Sequence, residues 1–327
     1  MNKDYVRNSP VAGYIDGLLA EKRALGFSYH FEEYVLNEFD HYCITHELKS
    51  ASFDRCFMEE WLSRNGNEGT SYHSQRISFV RQLALYMNAL GIRAYIPVES
   101  ISVTVTVPHF LSKDELTAFF SILDSDRPRI PALYAWRLWN EYRVAFRLLY
   151  CCGMRNSEAC DLKTENVDLE KGIITIYHSK GDKDRIIYLS DDMKELLKEY
   201  LKYLTETLGC YPVWFFPARD PHKHIHKSTL DRRFNRIWDQ TLYAGTVNRK
   251  PTVHSLRHSY VVDRMNSWLS EGKDFDTMMP YLSRYLGHSS INESMYYYHL
   301  SEDANRFIRK NDPTAKNVIP EAGKYGK

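Results

Sequence analysis

From Val11 to Gly91 apolar residues recur every three to four positions, the spacing that lines one face of an α-helix. The pattern predicts helices over roughly 11–25, ending at Gly26, then 29–46, 52–64 and 70–90, with no strand among them. In the last of these, Ile77, Val80, Leu83, Ala84 and Met87 form the apolar stripe. Arg76 is read as lying off that stripe, so that Arg76 and Arg81 are left to face a partner.

The pattern changes after Gly91. Ile96-Pro97-Val-Glu-Ser-Ile-Ser-Val-Thr-Val-Thr-Val-Pro108 is β-branched and bracketed by prolines, which favours an extended linker over a helix. Ser112-Lys-Asp-Glu115 has capping-box spacing and starts a helix through about 123. Further helices are expected at 131–152, 155–162, 190–208, 228–241, 254–269, 277–286, 290–298 and 301–311. Runs at 172–177 and 185–189 read as strands joined by a turn that contains Lys180-Gly181-Asp182-Lys183. The fold class is mainly α: a helical domain at 1–95, a linker at 96–108, and a mixed α/β domain with a small antiparallel sheet at 109–327.

Composition narrows the class. The 327 residues, 43% hydrophobic and 26% charged, suffice for two ordinary cores. No secretory signal pattern opens the chain and no apolar run has transmembrane length, so a cytoplasmic protein without membrane contact is expected. The six cysteines show neither zinc spacing nor a secreted framework and read as reduced, mostly buried thiols. His222, His224 and His226 alternate beside Pro221 without carboxylate or cysteine companions, so they read as a polar loop, and no metal is expected. A net charge of +1 is low for a nucleic-acid binder, but Arg232, Arg233, Arg236, Arg249, Lys250, Arg257 and Arg264 crowd one region. Arg232, Arg233 and Arg236 are either phosphate contacts or the solvated face of a helix that buries Leu230, Phe234, Ile237 and Trp238.

Candidate chemistry gathers in the second domain. Displacing an alkoxide from a phosphodiester needs an in-line nucleophile, neutralisation of the nonbridging oxygens and a proton for the leaving oxygen. Arg155 follows an apolar helix at a helix start, with Glu158 three residues on to orient its neighbours. Arg257 would complete a clamp of two guanidiniums, which donate several charge-assisted hydrogen bonds to a phosphate. His254 lies one helical turn from Arg257 and His288 follows on the next helix, both able to accept or donate a proton. Lys180, on the turn between strands, is a mobile ammonium able to protonate a departing oxygen, and tyrosine is a competent covalent nucleophile.

Taken in order, Gly153-Met-Arg-Asn-Ser-Glu158, Ser179-Lys180-Gly-Asp-Lys-Asp-Arg185, His254-x-x-Arg257, Leu286-Gly-His288-Ser-Ser-Ile291 and Tyr297-Tyr-His299 resemble the tyrosine recombinase (phage integrase) family. The resemblance spans about residues 10–300, with the helical first domain matching the family's SAM-like core-binding half. It implies that Arg155, Lys180, His254, Arg257 and His288 surround a scissile phosphate and that Tyr297, two residues before His299, attacks to leave a 3′-phosphotyrosine. It further implies double-stranded DNA as partner, no metal or ATP, a homotetramer on paired sites, and in some members a second recombinase or a directionality factor. Asn156 departs from the apolar residue common at that position. Integration or excision of a mobile element is the expected role. The alternatives are chromosome-dimer resolution, a type IB topoisomerase and a noncatalytic DNA-binding relative.

Overall fold

In a computed structural model of the chain, the described residues are 5–99, 101, 107–179, 183–288, 290–292 and 295. Among them the chain forms eleven α-helices and one three-stranded antiparallel sheet. The chain divides into two compact units, 1–106 and 107–327.

The first unit contains α1 (Ala12–Ala24), α2 (His30–Thr45), α3 (Arg55–Leu62) and α4 (Thr70–Ala89). Its core draws Ile15, Leu18 and Leu19 from α1, Val35, Leu36 and Phe39 from α2, Met58 and Trp61 from α3, and Val80, Leu83, Ala84 and Met87 from α4. Asp54 caps α3 by accepting the Phe57 amide at 2.9 Å. The buried carboxylate of Asp40 accepts from Tyr5 Oη at 2.9 Å and from the amides of Asn8 and Ser9, which fastens the entering chain to α2.

The expectation for Arg76 is overturned. Positions 76, 80, 83 and 87 are spaced as one helical stripe, so Arg76 lies in line with Val80 and Met87 and is buried. Its guanidinium stacks over the Trp61 ring, 4.5 Å from the centroid, and forks Glu68 through Nε and Nη2 at 2.8 and 3.1 Å. It also donates to the carbonyls of Trp61 and Ser63. Arg81 is likewise committed to its own chain, with Nε on the Pro97 carbonyl and Nη2 on that of Glu99, each at 2.6 Å.

The second unit begins with α5 (Lys113–Ser125), capped as the sequence predicts by the reciprocal Ser112 and Glu115 bonds. It continues through α6 (Leu133–Cys151), α7 (Asn156–Cys160), a 3₁₀ turn at Thr164–Asn166, β1 (Val167–Asp168), β2 (Ile173–Ser179) and β3 (Lys183–Tyr188). It then runs through α8 (Asp191–Leu208), α9 (Lys227–Trp238), α10 (Val253–Ser270) and α11 (Phe275–Leu286). Phe119, Phe146 and Phe234 meet at its centre, with the Phe119 and Phe234 rings 4.8 Å apart.

In the sheet, β2 pairs with β1 and β3, and Ile174 lies opposite Ile187. Alternation sends Ile174, Ile176 and Ile187 inward and leaves Tyr177, Ile186 and Tyr188 exposed. The two-residue β1 is too short to carry a periodicity and was not expected. Three cysteines, Cys43, Cys152 and Cys160, are buried and three are exposed, so mostly buried thiols is a correction. Adjacent residues on a helix point about 100° apart, which is why Cys152 reaches the core and Cys151 does not. Lys180, Tyr297 and the helix expected at 301–311 lie outside the described residues, as does most of that expected at 290–298.

Candidate active site

Gly153 ends the turn after α6 with φ +60°, and a Cβ there would come within 2.5 Å of the Tyr260 ring. Only glycine fits, and its carbonyl is thereby aimed at α10, where it accepts from Arg257 Nη1 at 2.6 Å. Two residues on, Arg155 stands at the N-cap of α7. Its amide donates to Glu158 Oε2 at 2.8 Å, so the carboxylate closes the helix start as the i, i+3 spacing allows. Arg155 Nη1 donates to Glu158 Oε1 at 2.8 Å and its Nη2 to the Gly287 carbonyl at 2.9 Å.

Gly287 caps the C-terminus of α11 in the left-handed conformation, φ +66°. The chain therefore turns sharply and presents successive carbonyls to the site. Leu286 O accepts from Arg257 Nη2 at 2.7 Å, while Gly287 O accepts from Arg155. Arg257 Nη2 also lies 3.0 Å from His288 Nε2. A guanidinium has no acceptor, so His288 Nε2 must carry a lone pair, which defines a neutral ring protonated at Nδ1. Residues 286–288 thus gather Arg155, Arg257 and His288 at one turn of backbone.

His254 and His258 share a face of α10 with Arg257, and their rings meet edge to face at 4.5 Å. His254 keeps solvent access, yet the atoms packed round it, followed by Arg257 and Arg155, lower its pKa to about 4. Burial and the same two guanidiniums lower His288 to about 3. Burial and the neighbouring His254 do the same for His258. All three imidazoles are therefore neutral at pH 7.

Glu158 ties the site together. Arg185, an inward residue of β3, forks it through Nη1 to Oε1 at 2.8 Å and Nη2 to Oε2 at 2.6 Å. Burial pushes this carboxyl up, but Arg185 and then Arg155 more than offset that and leave it at about 2. Arg155 and Arg185 pair with the one carboxylate of Glu158 and Arg257 adds a third guanidinium held on carbonyls, a positive excess suited to a phosphodiester. The sequence signal for Arg185 was a charged residue in register with Ile187, on the buried side of a strand.

The remaining basic candidates are placed differently. Arg233 is half-buried, pairs with Asp126 at 2.9 Å and lies over the Tyr142 ring, and Arg236 reaches the same carboxylate at 3.6 Å. Arg232 is exposed. His226 caps α9 by accepting the Ser228 amide at 3.3 Å. In that loop His224 stands 3.4 Å from Asp161, and His222 accepts Trp214 Nε1 on its backbone carbonyl.

The sequence model of the phage integrase family matches residues 110–304, well over half of the chain. The protein belongs to that family, the tyrosine recombinases. Among curated relatives, the tyrosine recombinase XerD of Staphylococcus aureus is 27% identical over 280 residues, covering 83% of this chain and 87% of its own. Among solved structures, the XerH site-specific recombinase bound to a palindromic difH substrate superposes with a TM-score of 0.64 at 22% identity, covering 86% of this chain and 78% of its own. The Tn1549 transposon integrase in complex with transposon right end DNA gives a TM-score of 0.63 at 14% identity, covering 92% of this chain and 98% of its own.

Proposed function

We propose that this protein is a site-specific DNA recombinase that cuts and rejoins duplex DNA through a 3′-phosphotyrosine on Tyr297. The Tyr297 oxygen forms a bond to the scissile phosphorus as the bond to the 5′ oxygen breaks. The phenolic proton passes to a neutral imidazole, for which His254 is suited, and Lys180 protonates the departing 5′ oxygen. Arg155 and Arg257, with His288, stabilise the charge that grows on the nonbridging oxygens, the role a metal ion fills elsewhere. Because the phosphodiester energy is kept in the phosphotyrosine, religation requires neither ATP nor metal.

The observation that carries this reading is the pair of adjacent carbonyls, Leu286 and Gly287, each holding one of the two guanidiniums. Independent parts of the chain, α7, α10 and the end of α11, converge there on groups that match the needs of a phosphodiester. The helical first unit serves as a core-binding DNA domain, and strand exchange takes place in a homotetramer on paired DNA sites. Integration or excision of a mobile element is the role we favour, in keeping with the superposition on the Tn1549 transposon integrase.

Covalent trapping tests this. Wild type and Tyr297→Phe are expressed in a bacterial host carrying the DNA that flanks the gene, the reaction is stopped with denaturant, and protein-linked ends are sequenced. A Tyr297-dependent adduct at one discrete sequence is expected. Adducts scattered without sequence preference would indicate a topoisomerase, and binding without any adduct would indicate a noncatalytic relative.

A further inference from the structure

Arg185 takes no part in the chemistry assigned above, yet it is buried among the groups that do. Its fork to Glu158 gives each carboxylate oxygen two donors: Oε1 accepts from Arg155 Nη1 and Arg185 Nη1, Oε2 from the Arg155 amide and Arg185 Nη2. An arginine and a glutamate three residues apart at a helix start have room to close into a fork of their own. In that arrangement the carboxylate would claim the guanidinium and cancel its charge. With Arg185 occupying the far side of both oxygens, Arg155 engages Glu158 through Nη1 and keeps Nη2 on the Gly287 carbonyl.

We propose that Arg185 is a positioning residue for Arg155, acting through Glu158 to hold that guanidinium turned toward the phosphate; this rests on the reading of the site given above. The same side chain braces the loop that carries His288. A Cβ added to Gly287 would come within 3.2 Å of Arg185 Nη1 and 3.5 Å of Arg155 Nη1, so the two guanidiniums press on one glycine. Arg185 pairs with Ile176 across the β2–β3 pair, so a single residue links that sheet, α7 and the end of α11. A bidentate carboxylate fork is the geometry that arginine supplies and lysine cannot.

A purely structural ion pair would also be buried and also stabilise the fold, so the test must separate the two. In the full-length protein, Arg155→Ala, Arg185→Met and the double variant form a cycle, read as the rate of adduct formation on the duplex recovered by trapping, alongside urea unfolding. If Arg185 acts through Arg155, Arg185→Met slows the wild-type protein on the order of 100-fold, the scale of a misplaced catalytic group. In the Arg155→Ala background it then slows cleavage less than about twofold, as expected for residues acting as one unit. A full multiplicative loss in the double variant, or a wild-type rate for Arg185→Met, overturns the proposal.

Should Arg185→Met fail to fold, Arg185→Lys retains the charge and loses the fork; a smaller loss with the same non-additivity is expected, and additivity again overturns it. If the wild type forms no adduct on any duplex, the recombinase reading fails separately. The tether is then read directly by NMR, from the Arg155 Nε and Glu158 carboxyl resonances. A shift of both in Arg185→Lys supports the positioning role, and unchanged resonances refute it.

Discussion

Arg76 in the first unit and Arg257 in the second are equally buried, at 3% and 2% exposure, and both stand on long helices. They differ in what faces their charge. Arg76 forks the Glu68 carboxylate and covers Trp61, so charge is matched by charge and the assembly is a structural plug. Arg257 donates to the carbonyls of Gly153 and Leu286 and to the neutral ring of His288, dipoles that fix its direction while leaving the site positive. Burial alone therefore says little about an arginine's work; the charge of its acceptors says more. Arg155 lies between these cases, sharing its carboxylate with Arg185.

The sharpest way to break the comparison is Arg257→Ala. Adduct formation is expected to fall about 1,000-fold, the upper range for losing one preorganised charge-stabilising group, with far less change in duplex binding. A near wild-type cleavage rate would remove Arg257 from the clamp. Arg76→Met should do the reverse: it takes the guanidinium from the Glu68 carboxylate, whose side chain is 5% exposed, and costs about 3 kcal/mol of stability in urea unfolding. Adduct formation per folded molecule should stay unchanged. Weakened DNA binding without that loss of stability would make Arg76 a DNA contact after all.

A smaller effect is expected at Gly287. Alanine there keeps φ +66° at about 1 kcal/mol and crowds Arg185 and Arg155, so cleavage should drop proportionately more than stability. Equal losses in both would show that the loop serves the fold alone.

Proton linkage gives the gentlest test. Glu158 is held at about 2, below its ordinary 4.5, so its contribution to stability is complete above pH 4.5 and is lost as pH falls toward 2. His254 and His288 sit at about 4 and about 3, below their ordinary 6.5, so protonation of the unfolded chain lowers stability as pH drops below 6.5. Urea midpoints should decline as pH falls through about 6.5, and these groups should contribute almost no slope above roughly pH 7.5. In the free protein, ring resonances of both histidines should remain those of neutral imidazole at pH 6; a protonated ring there would contradict the lone pair that His288 presents to Arg257.

Much of this was legible before any coordinates. The first-unit helices fell within a few residues of their expected limits because their apolar periodicity is strong, and α5 was announced by the Ser112 and Glu115 pair. Ends were less readable where the apolar spacing runs past the cap, as at α3, which starts three residues later than 52 because Asp54 caps it. Polarity misleads at Arg76, whose spacing from Val80 and Met87 places it on the buried stripe.

Sequence alone determined the helical character, the presence of two strands near 172–177 and 185–189, and the identities of Arg155, His254, Arg257 and His288 as candidates, since these depend on local period and residue chemistry. Only the tertiary structure decided that Glu158 serves two arginines, that Arg257 answers to carbonyls 104 and 29 residues away, and that the turn at Gly287 gathers them. Hydrogen bonds between groups so far apart in the chain leave no periodicity behind, because the partner is a backbone carbonyl that every residue type carries.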